Sequence, residues 1–366
     1  MTAYRDLWQE LCALKNLELA FKKARKGKPT KLDVVEFEHN LKDNLLRLRI
    51  ELLFHSYKPR ALETFILRDP KTRKISKSDF RDRIVHHALC NIIEPMFEKQ
   101  FIYDSYANRK RKGTLKAIQR FEHFIKKGSK QHSRKCFILK ADVKKYFENV
   151  DQDILVSILK RKIKDQKILW LIKIILSNYH ALPGKGMPLG NLTSQFFANV
   201  YLNELDQFVK KQLKAKYYIR YVDDFAIIHL SKDKLDEYKE KVDKFLKEEL
   251  ALQLHPDKSK IIPYQQGVPF LGMKVFPYHK LIIRKNVRKF RKRISVLNQE
   301  YILKKATYDK IYDFVEGWDS YAKQADAFKL RKKFLKDIEC NFPGEISTKE
   351  INRLQPNALK PTTKPI

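Results

Sequence analysis

The chain has 366 residues, of which 43% are hydrophobic and 12% aromatic, enough to build a core and too many for a disordered chain. Its 77 Lys and Arg against 43 Asp and Glu give a net charge of +34, which indicates a polyanionic partner, with nucleic acid ahead of an anionic membrane surface. The longest apolar run, residues 168–176, is far shorter than the ~20 residues of a membrane span. The first ten residues lack the pattern of a secretory signal. We therefore expect a cytoplasmic protein with no membrane partner.

The first third of the chain is predicted to be mainly helical. A helical segment covers residues 1–60 and is interrupted by a basic turn. Residues 64–77 favour a short hairpin with a positively charged tip, which suits phosphate groups. Helical periodicity returns over residues 79–97 and 113–124.

The rest of the chain is predicted to combine strands with helices. A strand over residues 136–139 is followed by a helical insertion over about 153–185 and by a helix over 191–214. Two β-rich runs, 217–222 and 225–228, are separated by two residues and predict a tight hairpin. An amphipathic helix, short strands and further helices follow, and the chain ends in a Pro-, Thr- and Lys-rich tail.

Three carboxylates are expected to meet at one edge of the predicted sheet. Asp223 and Asp224 occupy the hairpin turn, and Asp142 follows the earlier strand. Carboxylates crowded at an apolar edge repel one another, which favours protonation or a divalent cation. Three of them suit Mg²⁺, and a pair of such ions can clamp the attacking and leaving oxygens of a phosphoryl transfer. A solvated Asp-Asp turn is the alternative for Asp223 and Asp224 taken alone.

Five motifs, in chain order, resemble those of the reverse transcriptases. They are 142–147 (DVKKYF), 188–195 (PLGNLTSQ), 221–224 (YVDD), 255–259 (HPDKS) and 270–272 (FLG). Upstream, 80–87 (FRDRIVHH) and 104–109 (DSYANR) are similar to the fingers of group II intron, retron and related enzymes. The resemblance implies an RNA-directed DNA polymerase with a right-hand fold of the α+β class: fingers, a palm built on an antiparallel sheet, and a helical thumb.

This fold divides the chain into five expected parts. They are an N-terminal helical segment at 1–60, fingers at 61–135, a palm at 136–280 that contains a fingers insertion at about 153–185, a thumb at 281–340 and a flexible tail at 341–366.

The resemblance also implies catalytic roles. Asp142, Asp223 and Asp224, with the backbone carbonyl of Val143, would bind two Mg²⁺ ions, for which Mn²⁺ could substitute. Lys258 matches a position proposed to protonate the pyrophosphate leaving group, a role that plain charge could also explain.

The incoming dNTP is expected to contact five residues. Lys71 and Arg73 in the charged hairpin would hold its triphosphate, although a solvated basic turn is the alternative. Phe147 falls at the steric-gate position, where a bulky ring excludes a 2′-hydroxyl; it could instead be an ordinary core residue. Leu189 and Gly190 belong to the loop beside the nascent base pair.

Primer and duplex are expected to bind further along the chain. Phe270, Leu271 and Gly272 would form the primer grip, because glycine allows a close approach of the backbone. A basic run would open the thumb and follow the phosphates of an RNA/cDNA duplex, unless it is only a solvated helix face. Its cations are Arg284, Lys285, Arg288, Lys289, Arg291, Lys292 and Arg293.

One departure from the general bacterial pattern indicates a particular group of reverse transcriptases. Most bacterial reverse transcriptases have Gln-Gly and Ser-Pro where this chain has Leu189-Gly190 and Ser194-Gln195, and this variant resembles the enzymes of diversity-generating retroelements. That resemblance implies misincorporation opposite adenines of a template RNA, and a small basic oligomeric accessory protein as partner. Leu189 could also be a neutral packing substitution. A retron or phage-defence reverse transcriptase and a non-catalytic RNA-binding scaffold remain as alternatives.

Overall fold

The computed structural model of the chain describes residues 6–68 and 72–354. The chain forms two compact units, Met1–Ile262 and Pro263–Ile366. Over the described residues, every helix is too short or too polar to cross a membrane.

The first unit opens with helices, as predicted. They are α1 (Leu7–Cys12), α2 (Leu14–Arg25), α3 (Leu32–His39) and α4 (Leu41–Leu53). A hairpin follows, in which β1 (Glu63–Leu67) and β2 (Arg73–Lys77) pair antiparallel. The side chains of β1 are exposed, whereas Ser76 on β2 is buried. The predicted hairpin is thereby confirmed; residues 69–71 of its tip, including Lys71, lie outside the described residues.

The first unit contains further helices. They are α5 (Phe80–Glu98), α6 (Thr114–Gly128), α7 (Tyr146–Asn149), α8 (Gln152–Lys160), α9 (Gln166–Ser177), α10 (Leu192–Gln207) and α11 (Lys232–Leu250). Helix α10 ends seven residues before the predicted end and continues as a π-helix over Phe208–Gln212. Helices α6 and α11 pack on the sheet, and α10 packs on α5, α8 and α11.

The central sheet has the strand order β4-β5-β3-β6. Its strands are β3 (Phe137–Asp142), β4 (Tyr217–Tyr221), β5 (Asp224–His229) and β6 (Lys260–Pro263). One detail of the predicted hairpin is wrong. The turn consists of Val222 and Asp223, because Asp224 is held in β5 by pairing with Tyr221 on one side and Asp142 on the other.

The second unit joins a small sheet to helices. Strands β7 (Val268–Phe270), β8 (Met273–Val275) and β9 (Lys280–Ile282) form an antiparallel sheet in that order. Helices α12 (Arg284–Ile302), α13 (Tyr308–Ala322), α14 (Phe328–Asn341) and α15 (Thr348–Leu354) follow. Aromatic rings fill the helical core, where Phe290 stacks on Trp318 with centroids 4.1 Å apart.

Two features of the second unit differ from expectation. The sheet β7–β9, predicted as part of the palm, belongs with the helices after it, because the backbone of Gly272 and Lys280 bonds to Ile283 and Asp326. Helix α15 lies within the segment predicted to be a flexible tail, and Thr348 bonds through its amide and its hydroxyl to Asp309.

Candidate active site

The antiparallel register brings the three predicted carboxylates to one end of the central sheet. Asp142 ends β3 and is the register partner of Asp224, the first residue of β5. Residues opposite each other in an antiparallel pair share one face of the sheet. Asp223 precedes β5 in the turn, and its carbonyl accepts the Val143 N–H at 3.2 Å. The end of β3 is thus tied directly to the Asp-bearing turn.

Burial and mutual repulsion act on two of these carboxyl groups. Burial raises the pKa of Asp224 to about 6, with Asp142 and Asp223 adding to the rise and Lys140 opposing it. The pKa of Asp223 is also raised, first by burial and then by the charge of Asp142, while Lys258 and Arg73 oppose the rise. The environment therefore disfavours the charged carboxylates unless a cation accompanies them.

Two lysines supply positive charge in this structure. Lys258 Nζ donates to Asp142 Oδ1 at 2.8 Å, and Lys140 Nζ lies 3.3 Å from Asp224 Oδ1. That oxygen of Asp224 is buried and accepts no well-aligned hydrogen bond. The sequence analysis missed Lys140, although it stands two residues before Asp142 on the same strand and therefore on the same face.

The three carboxylates are candidate ligands for a divalent cation. Over residues 6–68 and 72–354, no three His, Cys, Asp or Glu side chains are gathered closely enough to form a ready metal site. The chemistry of the carboxylates nevertheless fits a divalent cation. All three are hard oxygen ligands, burial disfavours the charged forms of Asp223 and Asp224, and Asp224 has a buried oxygen without an aligned donor. A divalent cation here would replace the ammonium groups of Lys140 and Lys258.

The turn between β4 and β5 adopts an uncommon backbone conformation. Val222 has φ 56°, in the left-handed region that β-branched residues rarely adopt and that costs about 1–3 kcal/mol. Its carbonyl accepts a hydrogen bond from Arg220 Nη1 at 3.0 Å. Arg220 is a second residue that the sequence analysis missed; an arginine between apolar strand residues was the available signal.

The loop that contains Leu189 and Gly190 contacts the hairpin strand β2. The Ser76 N–H donates to the Leu189 carbonyl at 2.9 Å. Gly190 has φ 118°, and a Cβ there would lie 3.0 Å from Ile75 Cγ2. The Leu189 side chain is half-buried, and Arg73 of β2 is exposed and close enough to Asp223 to lower its pKa. The structure thus places Arg73 close to Asp223 and the Leu189 loop against the same hairpin strand.

Phe147 lies at the border between core and solvent. Its ring is half-buried and makes an edge contact with the buried Tyr146, with centroids 5.3 Å apart. Its carbonyl accepts the Met187 N–H at 2.7 Å, which ties α7 to the segment before Leu189. Part of the ring is therefore free to contact a ligand, and the steric-gate role stays a prediction.

The predicted primer grip forms the turn between β7 and β8 of the second unit. Phe270 is buried, and Leu271 and Gly272 have φ 46° and 89°. The Gly272 carbonyl accepts hydrogen bonds from the Tyr321 hydroxyl at 2.7 Å and from the Ile283 N–H at 3.2 Å. A Cβ on Gly272 would lie 2.9 Å from Tyr321 Oη, so only glycine fits without a shift.

The predicted basic run lies on the first half of α12. Five of its cations are exposed: Arg284, Lys285, Arg288, Arg291 and Lys292. The other two, Lys289 and Arg293, are half-buried, and Arg293 pairs with Glu300 at 3.2 Å. The exposed cations leave a positively charged helix face that is available to phosphates.

Residues 67–275, more than half of the chain, match the family described as reverse transcriptase (RNA-dependent DNA polymerase). The chain belongs to this family. The three carboxylates, the Leu189 loop and the primer-grip turn all lie within the matched residues. Membership confirms the predicted right-hand polymerase fold and the predicted enzyme class, RNA-directed DNA polymerase, at the level of the family.

Several curated proteins are similar to this reverse transcriptase. It is 26% identical over 293 residues to Protein YkfC of Escherichia coli, a match that covers 69% of this chain and 75% of YkfC. It is 24% identical over 337 residues to the group II intron-encoded protein LtrA of Lactococcus lactis subsp. cremoris, covering 72% of this chain and 54% of LtrA. A solved structure of apo telomerase from Candida Tropicalis aligns with a TM-score of 0.47 and 13% identity, over 66% of this chain and 60% of that one.

Proposed function

We propose that this chain is the error-prone reverse transcriptase of a diversity-generating retroelement, which copies a template RNA into cDNA mutagenised at adenines. The observation that best supports polymerase activity is the register pairing of Asp142 with Asp224, which sets Asp223 beside them. The chain that carries these residues belongs to the reverse transcriptase family. The retroelement assignment rests on Leu189-Gly190 and Ser194-Gln195.

The carboxylates are proposed to hold two Mg²⁺ ions, with Mn²⁺ as a possible substitute. The ligands would be Asp142, Asp223, Asp224 and the Val143 carbonyl. When bound, the ions supply stabilisation of the charge that develops on the transferred phosphoryl group. Lys258, once separated from Asp142 Oδ1, is free to donate a proton from Nζ to the pyrophosphate leaving group.

The remaining site residues are proposed to select and position the nucleotide. Lys71 and Arg73 bind the triphosphate, and the ring of Phe147 excludes a ribose 2′-hydroxyl. Leu189 presents an apolar side chain, which offers no hydrogen bond to the nascent pair and so relaxes selection. Gly190 keeps this loop against Ile75.

The second unit is proposed to bind nucleic acid without reading its sequence. Phe270, Leu271 and Gly272 grip the primer, and the exposed cations of α12 contact the phosphates of the RNA/cDNA duplex, so affinity falls with added salt. The proposed partners are the template RNA, its cDNA, dNTPs and a small basic oligomeric accessory protein.

Primer extension on a defined RNA template tests the proposal. The reaction contains Mg²⁺ and four dNTPs, with and without the accessory protein, and the cDNA is sequenced. We expect extension by the wild type, none by Asp223→Asn, and errors concentrated opposite template adenines. Leu189→Gln should reduce those errors, whereas Leu182→Gln, the same change at an exposed position earlier in the α9–α10 connection, should not.

Any other result of the primer-extension experiment would favour one of the alternative interpretations. Accurate cDNA from the wild type would support a retron or phage-defence reverse transcriptase. RNA binding without extension under any condition would support a non-catalytic scaffold. Equal error spectra for wild type and Leu189→Gln would mean that Leu189 is a packing substitution.

A further inference from the structure

An ion pair lies fully buried behind the turn that carries Asp223. Arg220 on β4 and Asp206 on α10 have no exposed side-chain surface. Arg220 Nε donates to Asp206 Oδ1 at 2.7 Å, and Nη2 donates to Oδ2 at 2.6 Å. The Tyr218 hydroxyl donates to the same carboxylate at 2.7 Å. A bidentate pair with a further donor holds the guanidinium in one orientation.

The remaining guanidinium nitrogen is directed at the turn. Arg220 Nη1 donates to the Val222 carbonyl at 3.0 Å and to Asn199 Oδ1 at 3.3 Å. Asn199 and Asp206 are seven residues apart on α10, which places them on the same side of the helix. Two positions of α10, about two turns apart, therefore hold the side chain that reaches the residue next to Asp223.

The backbone of Arg220 is fixed as well. Its N–H donates to the Asp104 carbonyl and its carbonyl accepts the Tyr106 N–H, each at 3.0 Å. The side chain cannot move away from the turn without breaking these bonds or the ion pair. The left-handed φ of Val222 persists only where its surroundings hold it, and the Arg220 bond to its carbonyl is such a restraint.

We propose that Arg220, oriented by Asp206, is a positioning residue that sets the place of Asp223 relative to Asp142. The proposal rests on the polymerase function proposed above. Without the bond to Val222, the turn relaxes and Asp223 moves, although the strands of the sheet stay paired and α10 stays packed against them. Loss of this restraint lowers kcat and weakens the binding of divalent cations. It leaves the KM for dNTPs nearly unchanged, because the side-chain hydrogen bonds of Arg220 go to Asp206, Asn199 and Val222, none of which is proposed to bind the nucleotide.

Two variants and one control separate positioning from stability. Arg220→Lys keeps the positive charge but has a single nitrogen, so it cannot bond Asp206 twice and reach Val222 as well. The double variant Arg220→Met with Asp206→Leu replaces the pair by apolar side chains of similar volume, which often preserves stability. The control Tyr218→Phe removes one bond to Asp206 and leaves the bond to Val222 in place.

Primer-extension kinetics over a Mg²⁺ titration provide the main measurement. We expect kcat to fall about 10–100-fold in both Arg220 variants, the Mg²⁺ concentration at half-maximal rate to rise several-fold, and KM for dNTPs to change less than about threefold. Tyr218→Phe should lose thermal stability and keep the wild-type kcat and Mg²⁺ dependence. A double variant that folds with wild-type kcat and Mg²⁺ dependence would overturn the proposal.

Calorimetric measurement of Mn²⁺ binding to the free protein distinguishes failure of the positioning role from failure of the proposed polymerase function. The wild type should bind Mn²⁺ more tightly than the Arg220 variants, and this readout needs no polymerase activity. A wild type that binds Mn²⁺ but makes no cDNA would contradict the proposed function, and the binding comparison would then decide the positioning role by itself. Equal Mn²⁺ affinities would overturn the positioning role.

Discussion

The negative charge of Asp224 lowers the stability of the protein without metal. Burial, the largest cause, and the charges of Asp142 and Asp223 raise the pKa of Asp224 from 3.8 to about 6. The folded state therefore binds this proton more tightly than the unfolded chain, and stability falls as the pH rises through this interval. Since a factor of ten in proton affinity is worth about 1.4 kcal/mol, the loss at pH 8 is up to about 3 kcal/mol.

Asp224→Asn is expected to stabilise the metal-free protein at pH 8. The amide carries no charge, so the penalty disappears, and the raised pKa already includes the opposing attraction of Lys140, whose Nζ lies 3.3 Å from the carboxylate. Since about 3 kcal/mol is the upper bound of the penalty, we expect the free energy of unfolding to rise by about 1–2 kcal/mol at pH 8. At pH 4.5 the folded wild type is already protonated at Asp224, and the gain should fall below about 1 kcal/mol.

Urea unfolding followed by circular dichroism, in EDTA at pH 8 and pH 4.5, measures this difference. The matched control is Asp257→Asn, an exposed aspartate, which should change stability by less than about 0.5 kcal/mol at either pH. Mg²⁺ should stabilise the wild type at pH 8 more than Asp224→Asn, because the cation removes the same penalty. A variant less stable than the wild type at pH 8 would refute the reasoning, since attraction to Lys140 would then outweigh burial.

Three further predictions concern the other site residues. Gly272→Ala should destabilise the second unit by about 1–3 kcal/mol, because its Cβ would stand 2.9 Å from Tyr321 Oη at a φ of 89°; an unchanged urea midpoint would contradict this. Phe147→Ala should raise the ratio of rNTP to dNTP incorporation by about tenfold or more in single-nucleotide extension, and a constant ratio would remove the steric-gate role. Arg288→Gln should weaken binding to RNA/DNA duplexes of any sequence and reduce the log–log salt slope by about one, and an unchanged slope would mean that Arg288 is only solvated.

Most helices and strands could be predicted because they depend on local sequence signals. The grouping of the carboxylates could be predicted from the order of the motifs. Hydrophobic periodicity located β3 and the helices on either side of the first hairpin, and the order of motifs placed Asp142 with Asp223. The one-residue error at the turn has a different origin. Strand register is set by pairing, and Asp224 stays in β5 because it faces Asp142, a residue 82 positions away that its local sequence does not show.

The charges that act on the site were harder to predict, because charged residues are usually assigned to the surface. Arg220 is fully buried, and its partner Asp206 lies on a different element, so the pair becomes visible only when α10 packs on the sheet. A charge inside an apolar strand does carry a signal, since it requires a buried partner of opposite sign. The position of Lys140 on the same face as Asp142 follows from strand alternation. In a chain with a net charge of +34, however, a single lysine is readily assigned to a nucleic-acid-binding surface. In this protein positive charge therefore lies in two settings. Exposed cations are proposed to bind phosphates, whereas Lys140, Lys258 and Arg220 contact the carboxylates and the turn that carries Asp223.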